Sequence, residues 1–141
     1  MTLSPEQEQR IAAAIEAAEL LTSGEVRVHL NDTCKGYALK DAEKVFKRLR
    51  MDQTADRNGI LFYIAIESHK FAVVGDLGIH ASVGQSFWDG IRDRMVTELK
   101  EGRWLEAIEL GVAEAGRALA QYFPHQGDRD RNELSNEVSR G

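Results

Sequence analysis

Residues Ile60-Leu61-Phe62-Tyr63-Ile64-Ala65-Ile66 form an unbroken apolar run dominated by β-branched and aromatic side chains. Successive residues of a strand point to opposite faces, so a strand without a polar position needs cover on both sides. A chain built around such a strand must place helices above and below its sheet. The run is far too short to cross a bilayer, which needs about 20 apolar residues as a helix.

The flanking sequence supplies the layers. Ser4-Pro5-Glu6-Gln7 starts a helix: Ser4 caps, Pro5 suits the first helical position and Gln7 closes a capping box. Ile11, Ala14, Ile15, Ala18 and Leu21 then recur at helical spacing, and Gly24 ends the pattern. Glu25-Val26-Arg27-Val28-His29-Leu30 alternates and reads as a strand with one more polar side. A second helix spans about Tyr37 to Arg50, with Leu39, Ala42, Val45, Phe46 and Leu49 on its apolar face. After the central strand, Glu67-Ser68-His69 has hairpin length, and Lys70 to Gly75 returns as a third strand. Asp76 to Gly84 reads as a glycine-containing loop. A third helix carries Phe87, Trp88, Ile91, Met95 and Leu99, and a fourth runs from about Trp104 to Phe123. Gly111 and Gly116 within it each cost about 1 kcal/mol against alanine, which points to close packing.

The order α-β-α-β-β-α-α predicts a single α/β domain over residues 1–124, a three-layer α/β/α sandwich on a small mixed sheet. Residues 125–141 are almost wholly polar and read as a tail. Within it, Leu134 and Val138 are spaced for one helical turn, as a docking segment for a protein partner would need.

Charge and cysteine content narrow the partners. Acidic and basic residues are interspersed with a net charge of −5, and no basic stripe offers a phosphate-backbone footprint, so nucleic acid is not expected. Cys34 is the single cysteine, so no internal disulfide can form. The opening Met1-Thr2-Leu3-Ser4-Pro5-Glu6 has neither the basic nor the apolar region of a signal peptide. The expectation is a cytoplasmic protein with no membrane partner.

The topology also predicts where polar residues meet. Two strands joined through a helix run parallel, and the third returns antiparallel. The start of the first strand, the start of the second and the end of the third therefore share one edge. Glu25, Asp56, Asn58 and Asp76 fall there, with Arg57 beside them. Carboxylates with an amide oxygen are hard donors suited to Ca²⁺ or Mg²⁺. The same residue types are also ordinary in turns. Arg57 could hold a phosphate bidentately or pair with Asp56 or Asp76.

Other signatures are missing. The Thr54-Asp56-Asn58-Gly59 spacing resembles a calcium loop, but Ala65 stands where its closing glutamate belongs. The chain has no Gly-x-Ser-x-Gly elbow, no His-Glu-x-x-His helix and no phosphate-binding P-loop. Lys40 follows Cys34 where a cysteine phosphatase would carry arginine. No organic cofactor is expected. Of the four histidines, His80 alone falls near the polar edge.

Thr22-Ser23-Gly24-Glu25-Val26-Arg27-Val28, Arg57-Asn58-Gly59-Ile60-Leu61, Phe71 to Ile79 and Glu101-Gly102-Arg103-Trp104 follow one another in an order that resembles the TPM-domain family of thylakoid-lumen phosphatase-like proteins. The resemblance covers about Leu3 to Phe123 and suggests a short, stand-alone branch without the leader and anchor common in the family. It implies a three-layer sandwich with a fourth, short strand. It further implies divalent-cation binding, notably of calcium, in some members and acid phosphatase activity in others. Two readings follow for the shared edge. One is a non-enzymatic cation-binding or regulatory module. The other is a metal-assisted phosphohydrolase in which Arg57 holds phosphate and the carboxylates hold the ion.

Overall fold

The computed structural model describes residues 3–125 and 138–141. Helix α1 spans Pro5–Glu19, with the Ser4–Gln7 capping box formed as the sequence predicts. Strand β1 is Glu25–Asn31, α2 is Ala38–Arg48, and a 3-10 turn at Met51–Gln53 leads to β2, Gly59–Ala65. Strand β3 is Lys70–Gly75, followed by α3 (Leu77–Val83), α4 (Gln85–Lys100), α5 (Trp104–Tyr122) and the two-residue β4, Ser139–Arg140.

The sheet order is β3-β2-β1-β4, with β1 parallel to β2 and β4, and β2 antiparallel to β3. Every residue of β2 is buried. Its alternate side chains supply two cores. Ile60, Phe62 and Ile64 pack with Val26, Val28 and Leu30 under α1, α4 and α5. Leu61, Tyr63 and Ala65 pack with Ala42, Val45 and Phe46 of α2 and with Met51. This is the α/β/α sandwich that the apolar run requires.

Both α5 glycines sit at contacts with no room for a side chain. A Cβ at Gly111 would come within 2.8 Å of Phe62 and 2.7 Å of Met95, and one at Gly116 within 2.7 Å of Ala18. Elsewhere the fold departs from the sequence pattern. Asp76 to Gly84 is not a loop: Asp76 caps α3, and Gly84 ends it at φ +78°. The α1 face stops short of Leu21, which is exposed, because the helix ends at Glu19; Leu39 of α2 is exposed too. His29, on the more polar side of β1, is fully buried. Ser139–Arg140 supply the fourth strand, from within what reads as tail. Leu134, and with it the proposed helical turn, lies outside the described residues.

Candidate site at the polar edge of the sheet

The edge forms where the topology puts it. Register sets Glu25 beside Gly59 and Ile60 beside Gly75, and the amide of Asp76 donates to the Gly59 carbonyl at 2.9 Å. Glu25, Asn58 and Asp76 are buried there, whereas Asp56 is exposed on the turn before β2.

Asp76 is the organising residue. Arg57 Nε donates to its Oδ2 at 2.6 Å and Arg57 Nη2 to its Oδ1 at 2.8 Å, so the pair is bidentate. The Leu77 amide also donates to Oδ1 at 2.8 Å, which caps α3. The Arg57 side chain is 44% exposed, and the bond to Asp76 holds its proton more firmly than usual. Arg57 takes the left-handed backbone conformation at φ +49°, uncommon for a residue with a side chain. Its carbonyl then accepts the amide of Gly78 at 2.8 Å. Gly78 has no room for a Cβ against the carbonyls of Asp56 and Arg57, so glycine is what lets α3 close on this turn.

Glu25 has a partner that the sequence does not announce. Glu19, at the end of α1, accepts the Val26 amide at 2.9 Å and shares a side-chain hydrogen bond with Glu25. Two carboxyl groups can bond in this way when one carries a proton. Burial raises the Glu19 pKa, opposed by the Val26 amide and by Glu25.

Next to these engaged groups are polar atoms that lack partners. Among the described residues, neither the Oδ1 nor the Nδ2 of Asn58 has a hydrogen bond, although Asn58 is only 1% exposed. The hydroxyls of Ser23 and Thr54, on segments leading into β1 and β2, are likewise buried and unpartnered. Leaving a buried polar group unbonded costs about 1–3 kcal/mol, so each of these requires an explanation.

The arrangement is not a ready-made metal cage. Among the described residues no three His, Cys, Asp or Glu side chains group to hold an ion. Both Asp76 oxygens are occupied, and Asp56 stands apart on the surface. The orphaned Asn58 carboxamide has the oxygen chemistry that a hard cation takes, whereas Asp76 is bonded to Arg57 and the Leu77 amide and Glu25 to Glu19. His80, in α3 rather than a loop, is taken up elsewhere: its Nδ1 accepts the indole N–H of Trp88 at 2.9 Å. Of the polar groups here, Glu19 is the one the sequence does not point to, since nothing local marks a helix-end glutamate as facing a buried edge.

The opposite end of β1 holds a second polar cluster. His29 Nδ1 lies 2.9 Å from Ser139 Oγ and its Nε2 lies 3.0 Å from Asn31 Oδ1. Asn31 Nδ2 donates to the Tyr63 hydroxyl at 2.9 Å, which donates to Asp41 at 3.3 Å; Cys34 Sγ donates to the same carboxylate at 3.2 Å. Burial lowers the His29 pKa, and the Tyr63 pKa is pushed up to about 12, with burial the largest cause.

The family model for the TPM domain matches residues 1–118. Among solved structures, the solution NMR structure of BA42 protein from the psychrophilic bacterium Bizionia argentinensis is similar over 100% of this chain and 97% of that one. Its TM-score is 0.91 and the sequences are 41% identical. The N-terminal domain of cg2496 protein from Corynebacterium glutamicum shares the fold at TM-score 0.65 and 12% identity, over 84% of this chain and 74% of that one. No curated protein matches. No helix among the described residues is long and apolar enough to cross a membrane.

Proposed function

The chain belongs to the TPM domain family, and from that premise we propose that it is a non-enzymatic binding module whose polar edge takes a divalent cation, Ca²⁺ in preference to Mg²⁺. The observation that carries this reading is Asn58, a buried carboxamide with a free acceptor and donor at an edge that also holds Glu25 and Asp76. Ca²⁺ accepts irregular sets of oxygen ligands, whereas Mg²⁺ demands near-octahedral geometry. Arg57 occupies the place of the ion in the resting arrangement, neutralising Asp76 as a cation would. Its half-exposed side chain can leave without disturbing the core. Binding is then an exchange of one positive charge for another, and a weak affinity follows, at about 10⁻⁴–10⁻³ M.

The phosphohydrolase reading uses the same edge, but the Arg57 fork is filled by Asp76, and no further observation favours hydrolysis. Calorimetric titration separates the two. Ca²⁺ is expected to bind wild-type protein, more tightly to Arg57→Ala, in which the competing guanidinium is gone, and more weakly to Asp76→Asn. Turnover of a phosphate monoester that disappears in Arg57→Ala would overturn the binding reading.

A further inference from the structure

The far end of β3 carries a different surface. A groove of about 860 Å³ opens between the segment leading into α2 and the last turns of α4. Phe71, Val96 and Leu99 contribute apolar surface, and Lys35, Lys70 and Lys100 contribute charge. A smaller cavity of about 190 Å³ continues it past His69, Lys70 and Leu99 to Trp104. Among the described residues no aspartate or glutamate lines either, although the protein as a whole carries −5. Lys70 donates to the Gly36 carbonyl at 2.9 Å, which fixes its ammonium inside the groove. His69, in the left-handed backbone region at φ +55°, also lines it.

The position of the groove selects its occupant. Strand β3 is the outermost strand on its side of the sheet, bonded to β2 alone among the described strands. The groove draws Tyr37 and Ala38 from the α2 side of the sheet and Val96 and Leu99 from the α4 side. It therefore meets the sheet edge at Lys70 and Phe71, so an object lying in it reaches the start of β3, whose outer edge pairs with no other described strand. An extended main chain is the group that can bond there, adding a strand while alternate side chains enter pockets. We infer that this groove binds an extended acidic peptide of a partner protein, with its backbone along β3, apolar side chains against Phe71 and Leu99, and carboxylates at the lysines. This site is separate from the polar edge, at the other end of the same strand.

The probe is a fluorescein-labelled peptide of about seven residues alternating glutamate with phenylalanine and leucine, offered to the full chain in EDTA so that cation binding plays no part. Saturable binding is expected, weakened at least about tenfold by the pair Lys35→Glu and Lys100→Glu. It should also weaken as salt rises from about 0.05 to 0.5 M. Both lysines are exposed, and an unchanged circular dichroism spectrum establishes that the double variant is folded. Amide shifts should fall on Phe71–Val73 and Val96–Lys100, and a peptide with lysine in place of glutamate should not bind. Absence of binding at about millimolar peptide would overturn the inference and leave the lysines as guards of an open sheet edge. Undiminished binding by the double variant would overturn it as well. So would octanoate binding that moves the α4 amides equally while β3 amides stay still, which assigns a small-carboxylate site.

Discussion

Strand β1 ends in two buried polar clusters that resolve the same problem differently. Around His29, hydrogen bonds link Ser139, Asn31, Tyr63, Asp41 and Cys34 in a connected series. The Tyr63 ring stacks on the imidazole at 5.7 Å, and Gly141 lies so close over His29 and Asn31 that no side chain fits between them. Around Glu25, Arg57 and Asp76 satisfy one another while Asn58, Thr54 and Ser23 keep unused hydrogen-bonding capacity. A connected network rigidifies and needs nothing more. Buried spare capacity is destabilising in isolation and becomes favourable when a ligand uses it. The contrast is what the proposed binding role of the Glu25 end rests on, while the His29 end is closed by its own hydrogen bonds.

Both clusters hang on β2, so the largest effect should come from that common support. Phe62→Ala should cost about 3–5 kcal/mol, since the ring is fully buried and touches the face of α5 at Gly111. A loss below about 1 kcal/mol in urea melts would show that β2 is not the shared base. Next, Tyr63→Phe should cost about 1–3 kcal/mol, because it strips a partner from both Asn31 and Asp41. A neutral result would mean that the network is not closed in solution.

The His29 cluster should also respond to pH. Its folded pKa lies below the unfolded value of about 6.5, with burial the main cause. The unfolded chain therefore binds the proton first. The stabilising contribution is complete above about pH 6.5 and is lost as pH falls through the folded pKa. Melts in this window should lose stability on acidification, and His29→Gln should flatten the slope; an equal slope in both proteins would remove His29 as its cause. The smallest effect belongs to the other cluster. Asn58→Leu should leave the metal-free melt unchanged or slightly raised, because the amide gives up no hydrogen bond. A loss of more than about 1 kcal/mol would mean that Asn58 is satisfied after all.

The layers, the three main strands and the edge were legible because each rests on periodicity or on connection rules. The seamless apolar run forces cover on both faces, and the parallel β1–β2 pairing follows from the intervening helix. Helix α3 was not legible: its Gly78 resembles a loop glycine, and the need for it lies in the distant carbonyls of Asp56 and Arg57. The burial of His29 was hidden because it depends on β4, which comes from a stretch that is polar in sequence. At the edge, position was readable but pairing was not. Residue types put Arg57 among the carboxylates without deciding between Asp56 and Asp76, and the structure gives it Asp76 through the turn at φ +49°.

Thermal melts of wild-type protein and Asn58→Leu across Ca²⁺ concentrations test the account most directly. A ligand that binds the folded state alone stabilises it by about 1.4 kcal/mol at ten times its dissociation constant. The wild-type midpoint should therefore climb through the millimolar range, further than with Mg²⁺, while Asn58→Leu stays level. A wild-type midpoint that does not move in millimolar Ca²⁺, or one that moves equally in both proteins, would contradict the assignment of the Asn58 edge as a cation site.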